Sequence, residues 1–226
     1  MKRSKRYKNI KAKVDKNRVY KIDEAVNLLV ANATAKFDES IEVHVRTAID
    51  TKQSDQLVRG TIILPHGTGK EKKIAVFAEA EKATEAKNAG ADIVGGQELI
   101  DKIRQAKTAD FDVAVATPDM MKKMASIAKI LGPKGLMPSP KTDTVTINIG
   151  KTVEQLKKGK VNFKNDDTGN VHQMVGKKSF GEKKLSENIS AFIQAIKEAK
   201  PNGVKGEYIK GITVSSTMGA GIKVAL

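Results

Sequence analysis

The sequence predicts a two-domain α/β protein: an α+β terminal domain of the split βαβ kind, interrupted by an inserted Rossmann-like α/β domain. Three observations carry this expectation. A chain of 226 residues with 39% hydrophobic content is natural for two cores, each of about 100 residues. Strands near both ends alternate apolar and polar residues, the pattern of an antiparallel sheet with one solvated face. The middle repeats strand and helix with continuously apolar strands, the pattern of a parallel sheet covered by helices. A single continuous mixed domain is the alternative.

The first element is a helix over IDEAVNLLVANA (22–33), where Ile22, Val26, Leu29, Val30 and Ala33 form one stripe. Asp23 and Glu24 suit its first turn. SIEVHVRTAI (40–49) follows as a strand, with Ile41, Val43, Val45 and Thr47 opposite Glu42, His44 and Arg46. A second strand, 60–64, ends in the punctuation LPHGTGK. From Lys73 the rhythm changes. IAVFA, DIVGG and FDVAVA read as strands, separated by helices over EKATEAKNA and QELIDKIRQAK. Thr117 and Pro118 read as N-cap and first helical residue of a helix through DMMKKMASIAKIL. TVTINI (144–149) predicts one more strand, and Thr152 with Gln155 a capping box before Leu156. Alternation then returns: KVNFKN and VHQMVGK flank the turn DDTGN as a hairpin-like pair. LSENISAFIQAIKEAK is a strongly amphipathic helix, and EYIKGITVSS and GIKVAL are final strands around the turn 217–221. The domains predicted are therefore 1–67 with 160–226, and 68–159. The crossings, at His66, Gly67 and Thr68 and at Lys158, Gly159 and Lys160, would form a hinge.

The net charge of +15 is uneven: +9 in residues 1–21, −3 in 22–67, +4 in 68–159 and +5 in 160–226. A basic tail with almost no apolar content is mobile in isolation and orders on phosphates, or merely solubilises. Its interleaved Tyr7 and Tyr20 favour nucleic acid, since their rings can stack on bases. No large-apolar stripe accompanies it, so a membrane surface is disfavoured.

Other chemistries find little support. The absence of Cys excludes disulfides, thiolate metal sites and thiol nucleophiles, and points to a reducing compartment. No apolar run reaches the roughly 18 residues of a membrane span, and the N-terminus lacks the apolar core of a secretory signal. GTGKEKK fails as a phosphate loop, because Leu64 and Glu71 stand where Gly and Ser or Thr are needed. His44, His66 and His172 lack metal-ligand spacing. Asp166 and Asp167 suit a turn better than a shared proton. No enzyme and no cofactor is expected; the rival is a nucleotide-binding enzyme built on the central domain. Two loops stand out. ILGPKGLMPSPK (130–141) combines three Pro and two Lys with Leu136 and Met137, expected exposed. SSTMGAG (215–221) combines hydroxyls and glycines in one turn, a hairpin turn or a close approach to a ligand.

Together with ATPDMM, KFDESIEVHV and NDDTGNVHQMVGKKSF, these loops resemble the L-one family of bacterial large-subunit ribosomal proteins, along essentially the whole chain. The resemblance implies a discontinuous RNA-binding domain and an inserted Rossmann-like domain. It implies binding to the 23S rRNA of the mobile lateral stalk, assistance to exit-site tRNA, and repression through the protein's own mRNA leader. It also implies a cytoplasmic chain, monomeric off the ribosome. Carried over residue by residue, the RNA contacts fall on Lys36, Phe37, Ser40 and Glu42, and on Ser215, Thr217, Met218 and Gly219. Lys164, Asp166 and Thr168 are additions to that set. Glu42, on the polar face, can accept from a 2′-hydroxyl or a base amino group.

Overall fold

The computed structural model describes residues 4–15 and 17–225. The N-terminal segment carries α1 (Lys5–Ala12), α2 (Ile22–Asn32), β1 (Ser40–Thr47) and β2 (Arg59–Ile63). The middle carries β3 (Ile74–Phe77), α3 (Ala80–Asn88), β4 (Ile93–Gly95), α4 (Gln97–Ala106), β5 (Val113–Ala116), α5 (Pro118–Met124), α6 (Ala128–Leu131) and α7 (Ile149–Lys157). The C-terminal segment carries β6 (Lys160–Lys164), β7 (Asn170–Lys177), α8 (Gly181–Glu198), β8 (Ile209–Ser216) and β9 (Ile222–Val224). They group into two compact units: Met1–Gly69 with Val161–Leu226, and Lys70–Lys160.

In the terminal unit β1 is an inner strand, antiparallel to both neighbours, in a sheet of order β7-β1-β8-β9. Its alternation decides the faces. Ile41, Val43 and Val45 are fully buried beneath α2 and α8, whereas Glu42 and His44 are half-buried and Arg46 is exposed on the other face. α8 supplies Leu185, Ile189, Phe192 and Ile196 to this core from one stripe. β2 and β6 form a separate two-stranded sheet. Phe163 of β6 meets Phe192 edge-to-face at 5.7 Å. Gly60 lets β2 pass that ring, since a Cβ there would lie 2.6 Å from Phe163 Cζ.

The central unit holds a parallel sheet of order β4-β3-β5. Strands buried on both faces need continuous apolar character, and β3 is buried at every position. Ala75, Phe77, Ala114 and Ala116 pack with Ile100, Ile103, Met120 and Met124. On the other face Ile74, Val76 and Val115 pack with Ala86 of α3 and Ile149, Val153 and Leu156 of α7.

Several expectations are corrected. TVTINI makes only one bridge, Val145 to Ala116, because Ala116 is the last residue of β5 and leaves nothing further to pair. α7 starts at Ile149, so Thr152 lies inside it and its hydroxyl donates to the Asn148 carbonyl instead of capping. β6 and β7 are not paired with one another: Asn165, just past β6, bridges Val171, and the strands pair elsewhere, with β2 and β1. The helix over 119–131 is broken by a 3-10 turn at Ala125–Ile127. Leu136 and Met137 are half-buried against the core of their unit. In the basic tail, Lys2, Arg3 and Lys16 lie outside the described residues, but Lys5–Ala12 is helical, capped by Ser4, with Ile10 buried. Tyr20 is only 5% exposed: its backbone bridges to β9 and its hydroxyl accepts from the Asp15 N–H, so it offers no ring to a base.

Truncating the Phe192 side chain removes the ring that α8 sets against Phe163. Phe192→Ala is expected to cost the terminal unit about 3–5 kcal/mol, read as a lowered urea midpoint.

Candidate nucleic-acid interface

The loop preceding β1 and the turn following β8 are distant in sequence and locked together in space. The Ser40 N–H donates to Thr217 Oγ1 at 3.0 Å, and the Thr217 N–H donates to the Ser40 carbonyl at 3.0 Å. Beneath this clasp lies Glu39, only 1% exposed. Its Oε1 accepts from the Ala35 N–H at 3.0 Å. Its Oε2 accepts from the Ser216 hydroxyl at 2.7 Å and the Met218 N–H at 3.1 Å. Burial pushes this carboxyl up, but the three donors outweigh it and hold it below its ordinary value. Gly219 completes the turn, because a Cβ there would meet Ser216 Oγ at 2.5 Å, and that hydroxyl is held by Glu39.

Asp38 anchors the same loop from outside. Its oxygens accept from the Ser179 hydroxyl at 2.7 Å and the Ser179 N–H at 3.0 Å, and the hydroxyl bond leads in keeping its carboxyl below the ordinary range. Lys178 donates through its N–H to the Glu39 carbonyl and through Nζ to the Ala33 carbonyl. The rim so fixed presents Lys36, exposed, with Phe37 at 53% and Met218 at 46% exposure. Large apolar side chains left in water on a rigid backbone are a contact surface for flat or apolar ligand parts, and Lys36 adds positive charge.

The structure thus brings together Lys36, Phe37, Ser40, Thr217, Met218 and Gly219. Glu42 and Ser215 face one another across β1 and β8, one step along the solvated face. Lys164, Asp166 and Thr168 do not join them. Their turn leads into Asn170, which pairs with Arg46 at the other end of β1, about 20 Å from Ser40 by strand rise. There Asp166 accepts from the N–H groups of Thr168 and Asn170 and from the Thr168 hydroxyl. Burial opposes ionisation, yet these donors bring its carboxyl down to about 2. The two ends are connected across the sheet by imidazoles: His44 Nδ1 lies 2.8 Å from His172 Nδ1, and His44 Nε2 lies 3.0 Å from Ser215 Oγ.

The residues expected at the crossings differ in their anchoring. His66 and Gly67 are tied to fully buried Asn188 of α8, whose Oδ1 accepts from the His66 N–H and whose Nδ2 donates to the Gly67 carbonyl. His66 also contacts Glu187. Thr68 is buried. Lys158 caps α7, Gly159 takes φ of 100°, and buried Lys160 pairs with Asp143 at 3.1 Å. Among the described residues no three His, Cys, Asp or Glu side chains are placed to hold a metal ion.

Glu39 is the residue that the sequence reading misses, although its signal is present. Counting by twos from Ile41 and Val43 puts a carboxylate on the buried face, where a charge survives only with several donors. Because Glu39, Asp38 and Asp166 have depressed folded-state values, their contribution is full above the ordinary carboxyl range. It is lost as pH falls through the folded values, the lowest being about 2 for Asp166. Stability followed by urea midpoints should therefore decline below pH 4.5, the ordinary value for Glu39. Glu39→Ala strands the Ser216 and Met218 donors and should cost about 1–3 kcal/mol at pH 7, with a smaller acid dependence.

Comparison with known proteins gives one consistent answer. Residues 29–220 match the Ribosomal protein L1p/L10e family. The large ribosomal subunit protein uL1 of Thermosipho africanus is 53% identical over 223 residues, covering 99% of this chain and 96% of that protein. Its counterpart in Fervidobacterium nodosum is 55% identical over 225 residues, covering 100% and 96%. That of Kosmotoga olearia is 53% identical over 223 residues. With the match spanning most of the sequence and the relatives aligned end to end, this chain belongs to the Ribosomal protein L1p/L10e family.

Proposed function

We propose that this chain is a structural, RNA-binding constituent of the large ribosomal subunit that grips 23S rRNA through its terminal unit. The observation that carries the reading is the rim itself: Phe37 and Met218 stand in solvent beside Lys36, on backbone locked by Glu39 and the Ser40–Thr217 clasp. An exposed apolar pair costs solubility unless a partner covers it, and base and ribose faces suit it. The charge of +15 supplies attraction without sequence preference. The relatives' name as large-subunit proteins supports the same partner.

The finer reading follows from the family. The bound rRNA is that of the mobile lateral stalk, and the central unit, Rossmann-like in its parallel sheet and flanking helices, swings on the two crossings and meets exit-site tRNA. The same rim reads the chain's own mRNA leader and represses its translation. The protein works as a monomer until it joins the cytoplasmic ribosome, and no catalytic role is assigned to it.

Footprinting on large-subunit rRNA fragments across a salt series tests the grip. Protection of one discrete stem is expected, with affinity falling by about 0.7–0.9 log units per log unit of salt for each phosphate neutralised. Met218→Ala and Phe37→Ala should each weaken binding about five- to hundredfold with little change in melting temperature, as loss of a base contact implies. Thr217→Ala is a poorer probe, because it also removes the acceptor for the Ser40 N–H. Full affinity in both exposed-residue variants would refute the assignment of the rim.

A further inference from the structure

On the solvated face of the terminal sheet, four polar side chains from four places in the sequence form one continuous chain. Asp166 Oδ2 lies 3.4 Å from His172 Nε2. His172 Nδ1 lies 2.8 Å from His44 Nδ1, and His44 Nε2 lies 3.0 Å from Ser215 Oγ. The two rings meet edge-on at 64°. Two ring nitrogens at 2.8 Å must have one hydrogen between them: with none the lone pairs repel, and with two the hydrogens collide. The chain therefore has a direction, and whichever end is better fixed sets it.

We propose that His44 and His172 form a one-proton relay that turns the Ser215 hydroxyl inward as a donor, so that the interface there accepts hydrogen bonds from RNA groups that donate them. This rests on the RNA-binding reading above and assigns selectivity within it. An ionised carboxylate only accepts, so Asp166 favours hydrogen on His172 Nε2. His172 Nδ1 is then bare and accepts from His44 Nδ1–H, which leaves His44 Nε2 bare. Ser215 donates to that nitrogen and keeps its lone pairs for solvent or ligand. Glu42 pulls the other way, since its Oε2 would favour hydrogen on His44 Nε2. It stands at 3.9 Å, against 3.4 Å for the Asp166 contact, and the nearer charge prevails.

A further proton, taken up at the bare His44 Nε2, is opposed by burial of His44 and by the neighbouring His172 ring, and is favoured by Glu42. Arg46, Lys210 and Lys223 line the same groove and oppose it as well, while Asp166 favours it. With that proton in place His44 Nε2–H faces Ser215, while His44 Nδ1–H still donates to His172 Nδ1. The hydroxyl must then accept, and it turns its own hydrogen outward. The groups selected at neutral pH are a ribose 2′-hydroxyl acting as donor or a base exocyclic amino group.

Ring-nitrogen NMR of the full-length protein, labelled with ¹⁵N in histidine, reads the relay without RNA. At neutral pH His44 Nε2 and His172 Nδ1 should both show unprotonated, pyridine-type signals. A pyrrole-type His44 Nε2 would overturn the relay. The footprinted rRNA fragment is then substituted nucleotide by nucleotide with 2′-methoxy groups, and separately with inosine for guanosine, which distinguishes ribose from amino donors. One substitution should cost about five- to tenfold at neutral pH, the worth of one hydrogen bond. That penalty should vanish in Ser215→Ala and shrink in acid. His172→Lys sets a permanent donor against His44 Nδ1, so the penalty should be lost there while His44 Nε2 becomes pyrrole-type. If that variant does not fold, the acid titration of the wild-type chain makes the same reversal. A penalty unchanged in Ser215→Ala would overturn the selectivity even with the expected spectrum. Failure of the wild-type chain to bind any rRNA fragment would instead refute the parent reading, and the selectivity with it, whatever the spectrum shows.

Discussion

The terminal unit turns on one buried carboxylate. Glu39 has three donors from two pieces of chain distant in sequence: the Ala35 N–H in its own loop, and the Ser216 hydroxyl and Met218 N–H at the end of β8. A charge at 1% exposure is tolerable only while those donors stay in place. The cost of leaving it bare therefore serves as a restraint on the loop and turn that surround it. Phe37 and Met218 owe their presentation to this restraint. Rigid backbone holds apolar side chains in water where a mobile loop would fold them back onto the surface.

On the proposed reading, that arrangement separates attraction from recognition. The excess charge is concentrated in the first 21 residues and acts at the range of the ionic atmosphere. The rim is drawn from the segments 22–67 and 160–226, and on the proposed reading it works at contact distance, through shape, apolar surface and the polarity of individual hydroxyls. Ser215 and Glu42 face each other across neighbouring strands and offer oxygen atoms rather than cations. A surface that accepts hydrogen bonds can tell ribose from deoxyribose, which a field of lysines cannot.

Much of the architecture is legible in the sequence because burial imposes period. The stripe of α8 and the alternation of β1 follow directly from which side chains must leave water. The failures have equally physical origins. TVTINI has strand composition, but its only partner strand ends at Ala116. Tyr20 looks available in a basic segment, yet its backbone is stitched to β9. Within the candidate site, the proximity of Ser40 to Thr217 depends on strand register, which a one-dimensional pattern does not contain. Register also sends Asp166 and Thr168 to the far end of β1. Likewise His44 and His172, 128 positions apart, meet only because β1 and β7 are neighbours in the sheet.

Strand order also governs when the terminal unit can exist. β1 is made early, but both its partners, β7 and β8, follow the central unit in the chain. The clasp between Ser40 and Thr217 closes a span of 177 residues. Synthesis runs from the N-terminus, so the central unit, whose strands are all near neighbours in sequence, is complete while β1 is still unpaired. Glu39 waits with it, solvated and without Ser216 or Met218. The rim is among the last features to form on a newborn chain, so on the proposed reading a partially made copy has the charge to reach RNA but not the surface to hold it.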